Sequence, residues 1–94
     1  MQETEKQMIE RNIELSAEFS RYLFDHPDLE GAIPIDAEII FLPEFDAELK
    51  RFNLGIGEEL EGAGKKIVYV KIEKIRPKLI SRIEGVSLNV HTSA

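Results

Sequence analysis

Residues 37–75 read as one complete β-α-β unit, and no other feature constrains the fold of this chain as much. The first arm, Ala37-Glu38-Ile39-Ile40-Phe41-Leu42, is a short apolar run stopped by Pro43, which suits a buried strand better than a helix. A helix then begins at a readable place. Asp46 can accept hydrogen bonds from free amides of a first turn, and Leu49, Phe52, Ile56 and Leu60 follow at helical spacing as one stripe. Gly62 and Gly64 supply the stop. The second arm, Ile67-Val68-Tyr69-Val70-Lys71-Ile72, is rich in β-branched residues. A crossover that holds one short helix implies parallel strands, and such connections are almost always right-handed.

Ahead of this unit, the chain from Glu3 to Phe24 lacks glycine and proline. It places Met8, Ile9, Ile13, Leu15, Phe19, Tyr22, Leu23 and Phe24 on one broad arc of a helix, with Glu10, Glu14, Glu18 and Arg21 among the residues opposite. Such a helix is roughly 33 Å long at about 1.5 Å per residue, longer than either strand, so it overhangs the sheet or reaches a second subunit. Pro27 disfavours helical geometry at His26 and stops the helix by Asp25. Residues 27–36 are read as a connector punctuated by Gly31 and Pro34. Beyond Arg76-Pro77 and Gly85, Val86, Leu88 and Val90 alternate with Ser87, Asn89 and His91, the period of a half-exposed third strand. The last few residues are expected to fray. The expected fold is a single α/β domain over residues 1–94.

Both faces of the expected sheet carry apolar side chains, because Ile39 and Phe41 point one way while Ile40 and Leu42 point the other. The crossover helix covers one face, and the long helix or a partner must cover the other. Two strands also leave unpaired edges. A homodimer is therefore expected, formed through sheet edges or the long helices. Leu54 sits opposite the helix stripe, where a solvated helix should be polar, and it joins Tyr22 and Phe45 as the candidate interface set; an isolated exposed leucine is an equal reading. Gly55 and Gly57 each weaken the helix by about 1 kcal/mol relative to alanine, which close packing against another backbone would explain.

Composition excludes several classes of function. The chain has no cysteine, so thiol chemistry and disulfides are absent and a cytoplasmic setting is expected. No apolar run approaches the ~18 residues of a membrane span. The net charge of −6 hides an asymmetry: residues 1–64 hold 16 acidic and 5 basic side chains, residues 65–94 hold 2 and 7. One reading is mutual compensation within the fold or between copies. The other is an anion-binding strip of Lys65, Lys66, Lys71, Lys74, Arg76, Lys78 and Arg82, although it lacks interleaved aromatics and an acidic protein repels nucleic acid.

Open α/β sheets bind ligands beyond the carboxyl ends of their strands, and here that edge carries Pro43-Glu44-Phe45-Asp46. A phosphate site would want glycines and free amides there, and neither a dinucleotide fingerprint nor a P-loop is present. Glu44 and Asp46 could instead hold a hard cation or ligand, but two carboxylates fall short of a coordination shell. His26, at a helix C-terminus, is favoured there by the helix dipole and is conceivable as a base. Glu44, Asp46 and His26 thus form the candidate ligand-binding set. With His26 and His91 the only histidines, no structural zinc site is expected, and no serine stands in a nucleophile context. No catalytic residue, metal or cofactor is assigned.

Four segments taken together carry a resemblance: Glu18-Phe19-Ser20-Arg21-Tyr22-Leu23-Phe24-Asp25-His26-Pro27, Ile33-Pro34, Phe41-Leu42-Pro43-Glu44-Phe45-Asp46, and Val68-Tyr69-Val70-Lys71-Ile72. Over most of residues 13–75 the chain resembles a small prokaryotic family of about this length, catalogued as a domain of unknown function. The resemblance implies a shared fold and no catalytic residue. The expected function is that of a small homo-oligomeric binding or interaction module with an unidentified protein partner; the alternative is a small enzyme or ligand-binding protein that uses Glu44 and Asp46.

Overall fold

In the computed structural model, which describes residues 3–77 and 83–91, five elements follow in order. They are α1 (Glu3–Asp25), α2 (Pro27–Gly31), β1 (Glu38–Pro43), α3 (Ala47–Gly62) and β2 (Ile67–Ile72). The strands pair in parallel, with Glu38 opposite Ile67 and Pro43 opposite Ile72. The long helix and the parallel β-α-β unit are thus as the hydrophobic periodicities predict. Two details differ. Residues 27–31 of the connector close one helical turn, because Pro27 is pre-set for a first helical position and the amides of Leu29 and Glu30 reach the His26 carbonyl. The third strand is not formed among the described residues: residues 83–91 have no regular structure, and the sheet is two-stranded. Lys78 and Arg82 of the basic strip, and residues 92–94, lie outside the described residues.

Register decides which backbone groups of the sheet are free. The Glu38 amide donates to the Lys66 carbonyl at 2.8 Å and the Glu44 amide to the Ile72 carbonyl at 2.9 Å. Even-numbered residues of β1 therefore turn their peptide groups toward β2, whereas Ile39, Phe41 and Pro43 turn theirs to the outer edge. Pro43 lacks an amide hydrogen where none would be used, so it is the last residue of the strand and not the stop beyond it. By the same parity Ile67, Tyr69 and Lys71 turn their peptide groups to the outer edge of β2.

α3 starts where Asp46 accepts the Leu49 amide at 3.1 Å, and ends with Ala63 as cap and Gly64 at φ 83°, a left-handed conformation suited to glycine. Its buried row is not the predicted stripe. Leu49, Asn53 and Gly57 are buried, Phe52 and Leu60 are half-buried, and Ile56 is exposed. The cause is visible beneath Gly57, where a β-carbon would stand 2.7 Å from the Tyr69 hydroxyl and 2.8 Å from its ring. Tyr69 occupies the space a side chain would fill, which draws the helix onto its 49–53–57 line. Close packing thus accounts for Gly57, against a ring and not a backbone, whereas Gly55 has open space around it.

α1 packs through Met8 and Leu15, which meet Leu49 in the core, while Phe19 meets Phe41 edge to face at 5.6 Å. Because Phe41 points away from Ile40 and its partner Tyr69, α1 and α3 approach opposite faces of the sheet. The cover is partial. Of the predicted arc, Ile9 and Ile13 line an open groove toward α3, and Tyr22 and Phe24 stay exposed near the end of a 23-residue helix of about 35 Å that overhangs six-residue strands of roughly 20 Å. No residue of β2 is fully buried.

Candidate functional site

The strand-end edge of the β-α-β unit assembles four elements around Glu44 and Asp46. Glu44 follows β1 directly, and its carboxylate accepts from the Lys50 ammonium at 2.8 Å with Lys71 at 3.7 Å. The Lys50 hydrogen bond, aided by the charges of Lys50 and Lys71, holds the Glu44 carboxyl below its ordinary range. Asp46 caps α3 with one oxygen and accepts from Arg11 of α1 at 3.4 Å with the other. Arg11 also donates to Glu48 at 3.0 Å. Each carboxylate of the predicted ligand set is therefore already answered by a cation, and Asp46 by a backbone amide as well.

Beside this cluster an open cleft lies between α1 and the start of α3, lined by Leu15, Glu18, Arg21, Phe45, Asp46 and Leu49, among others. Phe45 contributes a half-exposed ring to its wall. His26 is not among the lining residues. It sits at the end of α1, where its Nδ1 donates to the Tyr22 carbonyl at 2.8 Å and its ring stacks on Tyr22 at 3.9 Å. That contact satisfies a free carbonyl of the last helical turn. Glu44 and Asp46 are thus brought together, and His26 is held elsewhere by its own helix. Among the described residues no group of three or more histidine, cysteine, aspartate or glutamate side chains could hold a metal ion.

The three interface candidates face different surroundings. Phe45 belongs to the strand-end cleft, Tyr22 to a second cleft with Phe19, Leu29 and residues 70–74, and Leu54 is exposed on α3. A third, more apolar groove runs between α1 and α3, where Ile9, Ile13, Ile39 and Ile56 surround Asn12 and Asn53.

Those two asparagines are the residues that hydrophobic pattern did not disclose. Asn53 is 3% exposed and gives its amide nitrogen to the Phe41 carbonyl at 2.9 Å and to the Asn12 oxygen at 2.8 Å. The Asn12 amide returns a bond to the Asn53 oxygen at 2.8 Å. Because Phe41 turns its carbonyl to the outer edge of β1, Asn53 stands where an added strand would bond, and Asn12 locks it there. A polar residue four positions after Leu49 and four before Gly57 was the available sign. Arg11, set between Glu10 and Glu14 on an acidic helix, was a similar sign for the carboxylate cluster.

A model of a family of unknown function, DUF5647, matches residues 7–86. The chain belongs to that family. The match spans α1 through β2 and on into the C-terminal segment, so the elements around both the carboxylate cluster and the asparagine pair are family territory. No curated protein and no solved structure matches the chain. No helix among the described residues of this DUF5647 member is long and apolar enough to cross a membrane.

Proposed function

We propose that this DUF5647 protein acts as a homo-oligomeric interaction module whose working surface is the uncovered part of its sheet. The observation that carries the reading is β2. Its Ile67, Val68, Tyr69, Val70 and Ile72 form a strand with the composition of a sheet interior, yet none of them is fully buried. The buried apolar side chains of the described residues are Met8, Leu15, Ile40, Pro43 and Leu49, a small core for a domain of this length. Association with a second copy would bury the apolar area that the chain leaves in water. The alternative use of the strand-end edge as a ligand site has less support, since Glu44 and Asp46 are engaged by Lys50, Lys71 and Arg11.

Light scattering coupled to size exclusion tests this reading. The expected result is twice the mass of one chain at micromolar concentration. A single-chain mass that persists to high micromolar concentration overturns it.

A further inference from the structure

The two edges of the sheet are not equivalent. On β1 the outward carbonyl of Phe41 is occupied by Asn53, and Pro43 has no amide hydrogen to offer, so strand addition there is blocked at two of three outward positions. On β2 the outward peptide groups of Ile67, Tyr69 and Lys71 have no strand partner among the described residues. One edge is closed and the other is open.

The chain also carries a strand without a sheet. Val86, Leu88 and Val90 alternate with Ser87, Asn89 and His91, and they are 69%, 84% and 86% exposed. The molecule measures 75 × 37 × 20 Å with a radius of gyration of 19.5 Å, against about 12 Å for a compact chain of this length. A segment patterned to pair thus stands away from the only open edge its own copy provides.

We infer that residues 86–90 of one copy add as a third strand to the outer edge of β2 in a second copy, and that the exchange is mutual. This rests on the homo-oligomeric reading above and names the contact. Each copy supplies one open edge and one free strand, so a two-fold exchange uses both and closes the assembly. Reach is sufficient, since the backbone from Ile72 to Val86 spans up to roughly 45 Å when extended. Charge favours the exchange as well. Glu58 and Glu61 stand close enough to β2 for their charges to act on the Tyr69 phenol, while the chain leading to the added strand carries Lys74, Arg76, Lys78 and Arg82.

Sedimentation of the full chain and two proline variants tests the inference. Leu88→Pro spoils the added strand in a segment outside the folded body, and Lys71→Pro removes an outward amide of β2 without removing a β1–β2 hydrogen bond. Each variant alone is expected to weaken dimerisation on the order of 100-fold or more, with unchanged helical circular dichroism. Mixing the two is expected to restore part of it, because the Leu88→Pro copy keeps an open edge and the Lys71→Pro copy keeps a competent strand. A Leu88→Pro protein that dimerises like the parent overturns the inference while the homo-oligomeric reading stands. Loss in both variants without recovery on mixing overturns it in favour of pairing within one chain. A parent chain that is monomeric throughout removes the reading and the inference together.

Discussion

Asn53→Ala is the most informative single perturbation of the fold, because it tests whether one buried amide joins α1, α3 and β1. The side chain makes three hydrogen bonds, two with Asn12 at 2.8 Å and one to the Phe41 carbonyl at 2.9 Å, at 3% exposure. Each such bond contributes about 0.5–1.5 kcal/mol net, and its loss leaves a carbonyl and an amide without partners in a site largely closed to water. The expected cost is about 3 kcal/mol. A domain of this length has a total stability of roughly 5–14 kcal/mol, so the loss is a large fraction. Asn12→Ala removes only two of the bonds and leaves Asn53 on Phe41, with an expected cost of about 2 kcal/mol. The two changes share bonds, so the double variant should cost less than their sum by about 1–2 kcal/mol. Urea unfolding followed by circular dichroism, at one fixed protein concentration so that the proposed association cannot bias the comparison, reads all three values. An Asn53→Ala cost below about 0.5 kcal/mol, or strict additivity with Asn12→Ala, would refute the account of Asn53 as a buried three-way clasp.

The two glycines of α3 should respond with opposite signs. Gly55→Ala enters open space and is expected to stabilise by about 0.5–1 kcal/mol, whereas Gly57→Ala drives a methyl into the Tyr69 ring and is expected to destabilise by about 1–2 kcal/mol; thermal unfolding separates them. Burial, followed by the hydrogen bond to Glu61 and the charges of Glu61 and Glu58, raises the Tyr69 phenol above its ordinary value. The folded state then holds that proton more tightly than the unfolded chain, so stability is kept below the ordinary tyrosine range and declines above it; Tyr69→Phe should flatten this alkaline decline in a pH series of urea midpoints. Hydrogen bonds from Lys50 and Lys66 lower the carboxyls of Glu44 and Asp36, so their contributions are present above the ordinary carboxylate range and vanish as pH falls through the lowered values. Glu44→Gln should reduce that acid sensitivity in the same series. Asp46→Ala should cost about 1 kcal/mol through loss of the α3 cap, read by the same unfolding measurement.

The β-α-β unit was legible because its signals are local and agree with one another. Two short apolar runs, the second rich in β-branched residues, a period-3.6 stripe, a capping aspartate and two terminal glycines lie within a few residues of each element. The rotation of α3 was not legible in this way. Hydrophobicity favours a line through Ile56, but Tyr69, twelve residues beyond Gly57, fills the space beneath the glycine and sets a different line. Local pattern cannot register a ring arriving from another strand. Likewise the capping role of Asp46 was legible, but the cations that answer Glu44 and Asp46 were not, since they come from Arg11, Lys50 and Lys71 on three separate elements.

From the sequence by itself came α1, β1, α3 and β2, their order, the parallel pairing and the shortage of cover for an apolar sheet, because each follows from short-range sterics and the pattern of hydrophobic side chains. Only the tertiary structure decided which sheet edge is closed. That outcome depends on the register of β1 with β2, which fixes the direction of the Phe41 carbonyl, and on Asn12 and Asn53, 41 residues apart in the chain, meeting beside it. A carbonyl's direction and a long-range contact are properties of the packed chain, and they make two similar strands into one sealed edge and one edge that has no strand partner among the described residues.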